Sequence, residues 1–546
     1  MKPGRTQGRI SRWAHAACLL ALLLLGGVFL ADTPKHHGYA VFQASESLKV
    51  VFLQRGQPTK RQCEAVLDPV VKTMLAQCGS CRLLEWWCLD QLDPRHRKLL
   101  SGLPVDVPVM RVPGGAVAFL SNAPGDALEM CREAARLTSR SVPAECVKAG
   151  PDGIALSLAK INGTADALQM PKFSVLLAIV LLAAAISLLV SYLIIRSEPL
   201  HGRFSDDLAA TGPQKFHTAP TPRIGGVAIA AALAGSVLAL QALDWLNPAS
   251  AYGLTLLALS AVPAFAGGFG EDITRKVGVM ARLMLTVAAG VFASLLVGAT
   301  LDRLDMPGLD TLLLWPVFAI AFTAIAVSGV ANSINIIDGY NGLAGGYSVI
   351  VLTALAWVAS QVGDPVVLVA SLVMLGALLG FLVFNYPSGR IFMGDGGAYL
   401  LGFWLGELSV LLVVRNPDVS PWFPLVLLAF PIVETLYSIY RKVFMRGHSA
   451  GRPDGLHLHM LIYKRLARVA VGSKAPRERM HRNNLVVLYI CAGASLFILP
   501  ALLLWKSTSW LVILAVAFWI AYLWLYLRLV RWRAPAWLIS APRRTD

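Results

Sequence analysis

After residue 171 the chain alternates apolar runs of about twenty residues with short polar segments, and this pattern leaves little choice of fold. A bilayer core about 30 Å thick is crossed by about 20 apolar residues in a helix, because backbone polar groups in lipid must be satisfied within their own segment. Eleven such runs are legible: roughly Phe173 to Ile195, Ile224 to Trp245, Ala251 to Phe269, Met280 to Leu301, Leu312 to Val330, Leu343 to Val362, Val366 to Phe384, Ala398 to Val414, Trp422 to Tyr440, Leu485 to Trp505 and Trp510 to Leu527. A further run, Ala16 to Ala31, follows Lys2, Arg5, Arg9 and Arg12 and fits a signal peptide or a short signal anchor; with no clean small-x-small cleavage site after it, the anchor is favoured. Only 15% of residues are charged and 56% are hydrophobic, which excludes both an ordinary soluble globule and a disordered chain. The expected fold class is an all-α polytopic membrane protein. It comprises an anchor at 1–31, a small α/β disulfide-bearing extracytoplasmic domain at 32–171, and a polytopic domain of about 11 transmembrane helices at 172–546.

The 48 Lys+Arg against 32 Asp+Glu leave a formal charge of +16, and its distribution supplies the orientation. With the basic N-terminus inside, the loop after Tyr440 falls inside and carries Arg441, Lys442, Arg446, Arg452, Lys464, Arg465, Arg468, Lys474, Arg477, Arg479 and Arg482. The inside tail adds Arg528, Arg531, Arg533, Arg543 and Arg544, while Asn247 to Ser250 and Asp302 to Asp310, expected outside, hold only Arg303. The positive charge is thus explained by topology, and no nucleic-acid partner is expected. The basic face would also attract anionic lipid headgroups and phosphate-bearing substrates.

Six of the eight cysteines, Cys63, Cys78, Cys81, Cys88, Cys131 and Cys146, lie between the first two runs, in the segment placed outside. An even number in an oxidising compartment indicates up to three disulfides among fifteen pairings. The Cys78-Gly-Ser-Cys81 spacing also suits a redox pair or half a metal site, but no second paired motif or histidine follows at zinc-ligand spacing, so disulfide structure is favoured. An apolar run Val50 to Leu53, helical stretches Cys63 to Leu75 and Asp126 to Leu137, and an extended run Val105 to Leu120 suggest a small α/β domain.

Polar residues beside a bilayer are expensive, and five clusters of them fall on the side assigned to the cytoplasm by Lys and Arg alone. They are Lys215 and Arg223 with "TAPTPRIGG"; Glu271 and Asp272 in "GGFGEDITRK"; Asn332, Asn335, Asp338 and Asn341 in "ANSINIIDGYNGLAGG"; Asn385, Arg390 and Asp395 in "FNYPSGRIFMGDGGAYLLGF"; and Asp454, His457 and His459 in "GRPDGLHLHMLIYKR". Singly, Asn-Gly and Asp-Gly strings are turn chemistry and a His-x-His pair is as readily a solvated loop. Jointly they bring hard oxygen donors, glycine amides and cations to one membrane face. Such donors suit Mg²⁺ or Mn²⁺ better than zinc, and the combination is what phosphoryl transfer from a diphosphate requires.

In order and in wording, "HTAPTPRIGG", "NIIDGYNGLAGG", "IFMGDGG" and "PIVETLYSIYRK" resemble the polyprenyl-phosphate N-acetylhexosamine-1-phosphate transferases over about residues 172 to 530. The resemblance implies transfer of a hexosamine-1-phosphate from a UDP-N-acetylhexosamine to undecaprenyl phosphate with release of UMP. That is the first membrane step of an envelope polysaccharide such as O-antigen, at the inner face of a bacterial plasma membrane, with residues 32–171 periplasmic. It further implies Mg²⁺ or Mn²⁺ at Asp395; catalytic roles for Asp272, Glu271 and Asp338; and substrate binding by Lys215, Arg223, Asn332, Asn335, Asn341, Asn385, His457 and His459. The chain departs from the pattern at Glu271, where an Asp is usual; at Asn341, where "DGxDG" reads Asp338-Gly-Tyr-Asn341-Gly; and at Met460, where many members have a third His. A transporter or flippase of lipid-linked sugars is the competing class, and a non-catalytic scaffold built on the Cys-rich insert is a third. Transporters keep polar groups near the midplane, whereas here polarity concentrates in the loops, with Glu407 the main midspan acid. The hexosamine, the pathway and the assembly state, a homodimer included, are left open.

Overall fold

The computed structural model describes residues 37–43, 48–54, 60–77, 81–89, 108–112, 115–121, 131–132, 145–147, 171–207, 220–246, 248–306, 308–313, 315–416, 418–445, 447, 455–467 and 476–531. These fall into two compact units, one within residues 30–170 and the other carried by residues 171–414 and 418–546. The Ala16–Ala31 run lies outside the described residues.

The smaller unit is a six-stranded antiparallel sheet with a helix against it. Its elements are β1 (His37–Gln43), β2 (Leu48–Gln54), α1 (Lys60–Gln77), β3 (Arg82–Leu89), β4 (Val109–Val112), β5 (Gly115–Ser121) and β6 (Glu145–Val147), in the sheet order β3-β1-β2-β5-β4-β6. Register pairs Val41 with Val51 and Val51 with Ala118, so the period-two alternation sorts side chains cleanly. Ala40, Phe42, Val50, Val117 and Phe119 share one core with Leu67 and Val71 of α1, while Val41, Val51, Leu53, Val109 and Ala118 form a second cluster. A Cys63–Cys88 disulfide ties α1 to the edge strand β3, and Cys81 and Cys131 are disulfide-bonded as well. Cys78 lies outside the described residues. The helix at Cys63–Leu75 and the extended Val105–Leu120 run were legible from pattern; β1, β3 and β6 were not. Of the helix expected at Asp126–Leu137, residues 131–132 are helical and the rest lie outside the described set.

The larger unit is a multi-span helical membrane protein, with nine helices among the described residues long and apolar enough to cross a bilayer. In chain order the helices used below are α2 (Phe173–Arg196), α3 (Gly226–Ala242), α4 (Pro248–Ser260), α5 (Val262–Thr274), α6 (Val279–Val297), α7 (Pro316–Ile337), α8 (Leu343–Val362), α9 (Pro365–Asn385), α10 (Gly394–Arg415), α11 (Trp422–Leu427), α12 (Ala429–Tyr440), α13 (Leu458–Ile462), α14 (Pro476–Leu504) and α15 (Thr508–Val530). The α4–α5 pair crosses as one span.

Three of the eleven expected spans come out differently. The Ile224–Trp245 run makes a 17-residue helix, α3. The Trp422–Tyr440 run is broken at Leu428 into α11 and α12, since Pro431 has no N–H to give and its ring collides with the carbonyl four residues back. The Leu312–Val330 window is displaced, because Pro316 sits in the first turn of α7, where its fixed φ favours a start. That shift places Asn332 and Asn335, expected in a loop, on the last turns of a helix; Asp395 likewise sits in the first turn of α10 instead of a loop.

Helix α10 is central: 94% of its most apolar window is buried, against 22% for α2. Its glycine-rich N-terminus permits backbone-to-backbone packing. A Cβ on Gly226 would run into the backbone of Gly396 and Gly397, so the start of α3 and the start of α10 touch without side chains between them. The loops are tied into two separate groups. Ser420 N–H donates to the Trp505 carbonyl at 3.0 Å, Arg303 donates to the Val419 carbonyl at 2.7 Å and Thr508 donates to Asp305 at 2.6 Å, linking the 301–306, 418–422 and 505–508 segments. The described residues of the five polar clusters belong to the other group.

Gly226→Val should therefore overpack a backbone contact and cost about 3 kcal/mol, read as a fall in unfolding temperature of the detergent-purified protein. Gly253→Ala, where a Cβ would meet nothing within 4 Å in a helix interior, should leave it unchanged or raise it slightly.

Candidate active site

The site begins with a short strand-like pairing between two glycine-rich loops. Phe392 N–H donates to the Pro222 carbonyl at 2.8 Å, Gly225 N–H to the Phe392 carbonyl at 2.9 Å and Gly226 N–H to the Met393 carbonyl at 2.8 Å. This pairing sets Arg223 beside Asp272 on the last turn of α5. The Arg223 Nε and Nη2 lie 3.1 and 3.0 Å from Asp272 Oδ1. Asp272 is 1% exposed, and its two oxygens also accept the N–H groups of Asp395 at 2.9 Å and Gly396 at 2.8 Å. It thus caps the N-terminus of α10 from a neighbouring helix, satisfying otherwise orphaned amides at the positive end of the helix dipole. Glu271 turns elsewhere: its Oε2 accepts Val277 N–H at 2.8 Å and closes the α5–α6 loop.

In the first turn of α10, the Asp395 side chain is 21% exposed. Its Oδ1 accepts Asn335 Nδ2 at 2.9 Å, and its Oδ2 is ion-paired with Arg282 of α6. The Arg282 guanidinium carbon lies 5.7 Å from the Tyr399 ring centroid, and Tyr399 OH donates to Asn332 Oδ1 at 3.3 Å, so Asn332 reaches Asp395 through an aromatic and a cation. Asp338 follows α7 directly, and its carboxylate has no hydrogen-bond partner among the described residues. Burial, with the neighbouring Asp272 charge adding to it, pushes this carboxyl up to about 7.

The turn after Asp338 is braced from two sides. The Asn341 backbone N–H donates to Asn483 Oδ1 at 3.1 Å, and Asn483 Nδ2 returns a bond to the Asn341 carbonyl at 3.1 Å. Asn385 Oδ1 accepts Gly342 N–H at 2.7 Å while its Nδ2 donates to the Ile391 carbonyl at 2.8 Å. Asn385, expected to contact substrate, therefore joins two loops with both ends of its amide. His457 Nδ1 lies 2.9 Å from Glu434 Oε1, and Leu458 N–H donates to Glu434 Oε2 at 2.9 Å. His459, 0% exposed, stacks on His457 with centroids 5.4 Å apart and meets Tyr340 edge-on at 5.7 Å. Burial pushes its pKa down to about 3, so the ring is neutral, and neither nitrogen has a hydrogen-bond partner. A Cβ on Gly339 would lie 3.4 Å from His459 Nε2, which places the ring over the Asp338 turn. Lys215 and Asp454 lie outside the described residues.

The geometry therefore brings Arg223, Asp272, Asp395, Asn335 and Asn332 into one connected network, with Asp338 close enough to feel Asp272. Among the described residues no group of three or more His, Cys, Asp or Glu side chains is arranged to hold a metal by itself.

The family model for glycosyl transferase family 4 matches residues 254–413, a stretch that contains Glu271, Asp272, Asp338 and Asp395. A Desulforamulus reducens (strain ATCC BAA-1160 / DSM 100696 / MI-1) phospho-N-acetylmuramoyl-pentapeptide-transferase is 32% identical over 308 residues, 52% of this chain and 87% of that protein. A Mycolicibacterium smegmatis (strain ATCC 700084 / mc(2)155) decaprenyl-phosphate N-acetylglucosaminephosphotransferase is 30% identical over 313 residues, 52% of this chain and 71% of that protein. The chain belongs to the polyprenyl-phosphate hexosamine-1-phosphate transferase family. A Bacillus subtilis (strain 168) relative, "Probable undecaprenyl-phosphate N-acetylglucosaminyl 1-phosphate transferase", is 29% identical over 300 residues, 55% of this chain and 77% of that protein. Within this transferase the sequence pattern missed Arg282 and Asn483. Arg282 carried a signal, a single cation two residues into an apolar run, and an ionisable residue there calls for a partner. Asn483 carried none, being one polar residue in a basic loop 142 positions from the turn it braces.

Asp272→Asn should lower the unfolding temperature by several degrees along with activity, because an amide can accept only one of the two backbone donors well. Asp395→Asn should reduce turnover at least a hundredfold and, because it leaves the Arg282 guanidinium without its counter-charge, also lower the unfolding temperature; parallel melting curves and sugar-phosphate transfer assays check both. Since the folded Asp338 carboxyl titrates near 7, well above its unfolded value of 3.8, the stability linked to it is present at low pH and declines as pH rises from about 4 through 7. Asp338→Asn should make the melting temperature of EDTA-treated protein less pH-dependent across that window.

Proposed function

We propose that the protein transfers an N-acetylhexosamine-1-phosphate from a UDP-sugar to undecaprenyl phosphate, with Mg²⁺ or Mn²⁺, releasing UMP at the cytoplasmic face of a bacterial plasma membrane. The observation that carries this reading is the anchoring of Asp395. An ionised side chain is displayed at the start of the most buried helix, its backbone is held by Asp272, and its oxygens are shared between Asn335 and Arg282. Family membership supports transfer of a sugar phosphate to a polyprenyl phosphate. The sugar, the nucleotide, the metal and the pathway, O-antigen or another envelope polysaccharide, are our inference.

The donor set suits a hard divalent cation. Mg²⁺ is commonly bound through one or two carboxylates, with substrate phosphates and water completing the shell, so the lack of a three-acid cage is compatible with it. Asp395 would hold it, and when bound it would neutralise charge on the transferring phosphoryl group.

The chain's own residues account for the remaining requirements. A lipid-phosphate oxygen attacks the sugar-bearing β-phosphorus, the new P–O bond forms as the bond to the bridging oxygen breaks, and that oxygen leaves on UMP. A dianionic lipid phosphate needs no proton removed. A monoanionic one, with a second pKa of about 6, can pass its proton to Asp338, whose pKa is pushed up to about 7. Arg223 is fixed by Asp272 and keeps a partly exposed guanidinium beside the acids. His459, neutral and without a partner, can hydrogen-bond a donor oxygen without adding charge.

Purified protein incubated with undecaprenyl phosphate and a panel of UDP-sugars should release UMP with one N-acetylhexosamine donor, lose that activity in EDTA and regain it with Mg²⁺ or Mn²⁺. Uptake of lipid-linked sugar into proteoliposomes without UMP release would replace this reading with transport.

A further inference from the structure

Arg282 has no role in the reading above, yet it is the cation closest to the proposed metal ligand. Its guanidinium is ion-paired with Asp395 Oδ2, its side chain is only 12% exposed, and its Nε is buried without a hydrogen-bond partner. The tight approach of α5 to α6, where a Cβ on Gly267 would already touch Leu285 and come within 3.7 Å of the Arg282 Cα, fixes the base of the side chain beside the acids. The Tyr399 ring flanks the guanidinium at 5.7 Å. A carboxylate left unpaired in so closed a place would be costly, and a pairing that is complete would leave no donor idle. Arg282 meets the first condition and not the second: it neutralises Asp395 while keeping an unsatisfied N–H.

We infer that Arg282 is a positioning residue that stands in for the divalent cation at Asp395, and that it yields the carboxylate when the cation enters and turns its planar fork to a phosphate oxygen of the donor. The inference rests on the assignment of Asp395 as a metal ligand. Two cationic centres on one carboxylate repel each other, so each weakens the other's hold. Guanidinium is also the side chain whose geometry passes most readily from carboxylate to phosphate, since both accept its paired N–H groups. The idle Nε–H leaves one donor free for the incoming phosphate, with the Tyr399 ring beside the guanidinium as it leaves Asp395.

The test is Mn²⁺ binding to EDTA-stripped, detergent-purified protein, followed by electron paramagnetic resonance, with no substrate present. Arg282→Gln should bind Mn²⁺ about tenfold more tightly than wild type, because the competing charge is gone. Arg282→Lys, which keeps the charge but loses the fork and some reach, should tighten binding about two- to threefold and serves if the Gln variant does not fold. Asp395→Asn should abolish the signal from bound Mn²⁺. Equal affinity in wild type and both Arg282 variants, with binding still lost in Asp395→Asn, overturns the stand-in and leaves the metal assignment intact. Binding that is unaffected by Asp395→Asn, or absent from wild type and Arg282→Gln alike, overturns both. A damaged site predicts weaker Mn²⁺ binding in the Arg282 variants, the opposite of the expected shift.

Discussion

A single carboxylate holds the site together. Asp272 accepts the amides of Asp395 and Gly396 and pairs with Arg223, so the end of α5, the start of α10 and the loop before α3 are joined at one buried side chain. Removing a carboxylate from water costs several kcal/mol, and here the cost is offset by two backbone donors at a helix N-terminus and a guanidinium. With Asp272 engaged in this way, the acids left for chemistry under the function proposed above are its neighbours. Asp395 is displayed on the helix that Asp272 caps, and Asp338, left without a partner, stays near neutrality in its affinity for protons. Asp272 is matched by Arg223 and Asp395 by Arg282, which leaves Asp338 as the acid of the site without a cationic partner among the described residues.

Much of this was legible in the sequence, and the parts that were not have physical reasons. The long apolar runs marked the spans because lipid demands them. The ordered loop motifs marked the membrane face where Arg223, Asp272, Asn335 and Asp395 come together. What pattern could not supply was the division of labour. Asp272 and Glu271 are adjacent in sequence and looked like a catalytic pair, but successive helical residues point about 100° apart, and one caps α10 while the other closes a loop. Asn385 looked like a substrate ligand and is a brace, since whether an amide faces a ligand or a backbone depends on packing between distant loops. Helix ends were the weakest part of the reading: prolines at 316 and 431 moved or cut spans that hydrophobicity alone had drawn elsewhere.

The two units also illustrate different means of stability. The sheet unit has a small core and adds covalent ties, with Cys63–Cys88 linking its helix to an edge strand. The membrane unit relies on close contact of small residues, as at Gly226 against Gly396 and Gly397, where lipid offers no hydrophobic drive for helices to associate.

The Asn341–Asn483 pair has a consequence for how the protein is made. A ribosome delivers the Asp338 turn long before the helix that braces it, because the partners stand 142 residues apart. Until α14 has been synthesised and has packed in, the turn lacks two of its backbone bonds. A chain halted before that point would therefore hold every acid of the site without the scaffold to aim them, so competence waits for α14.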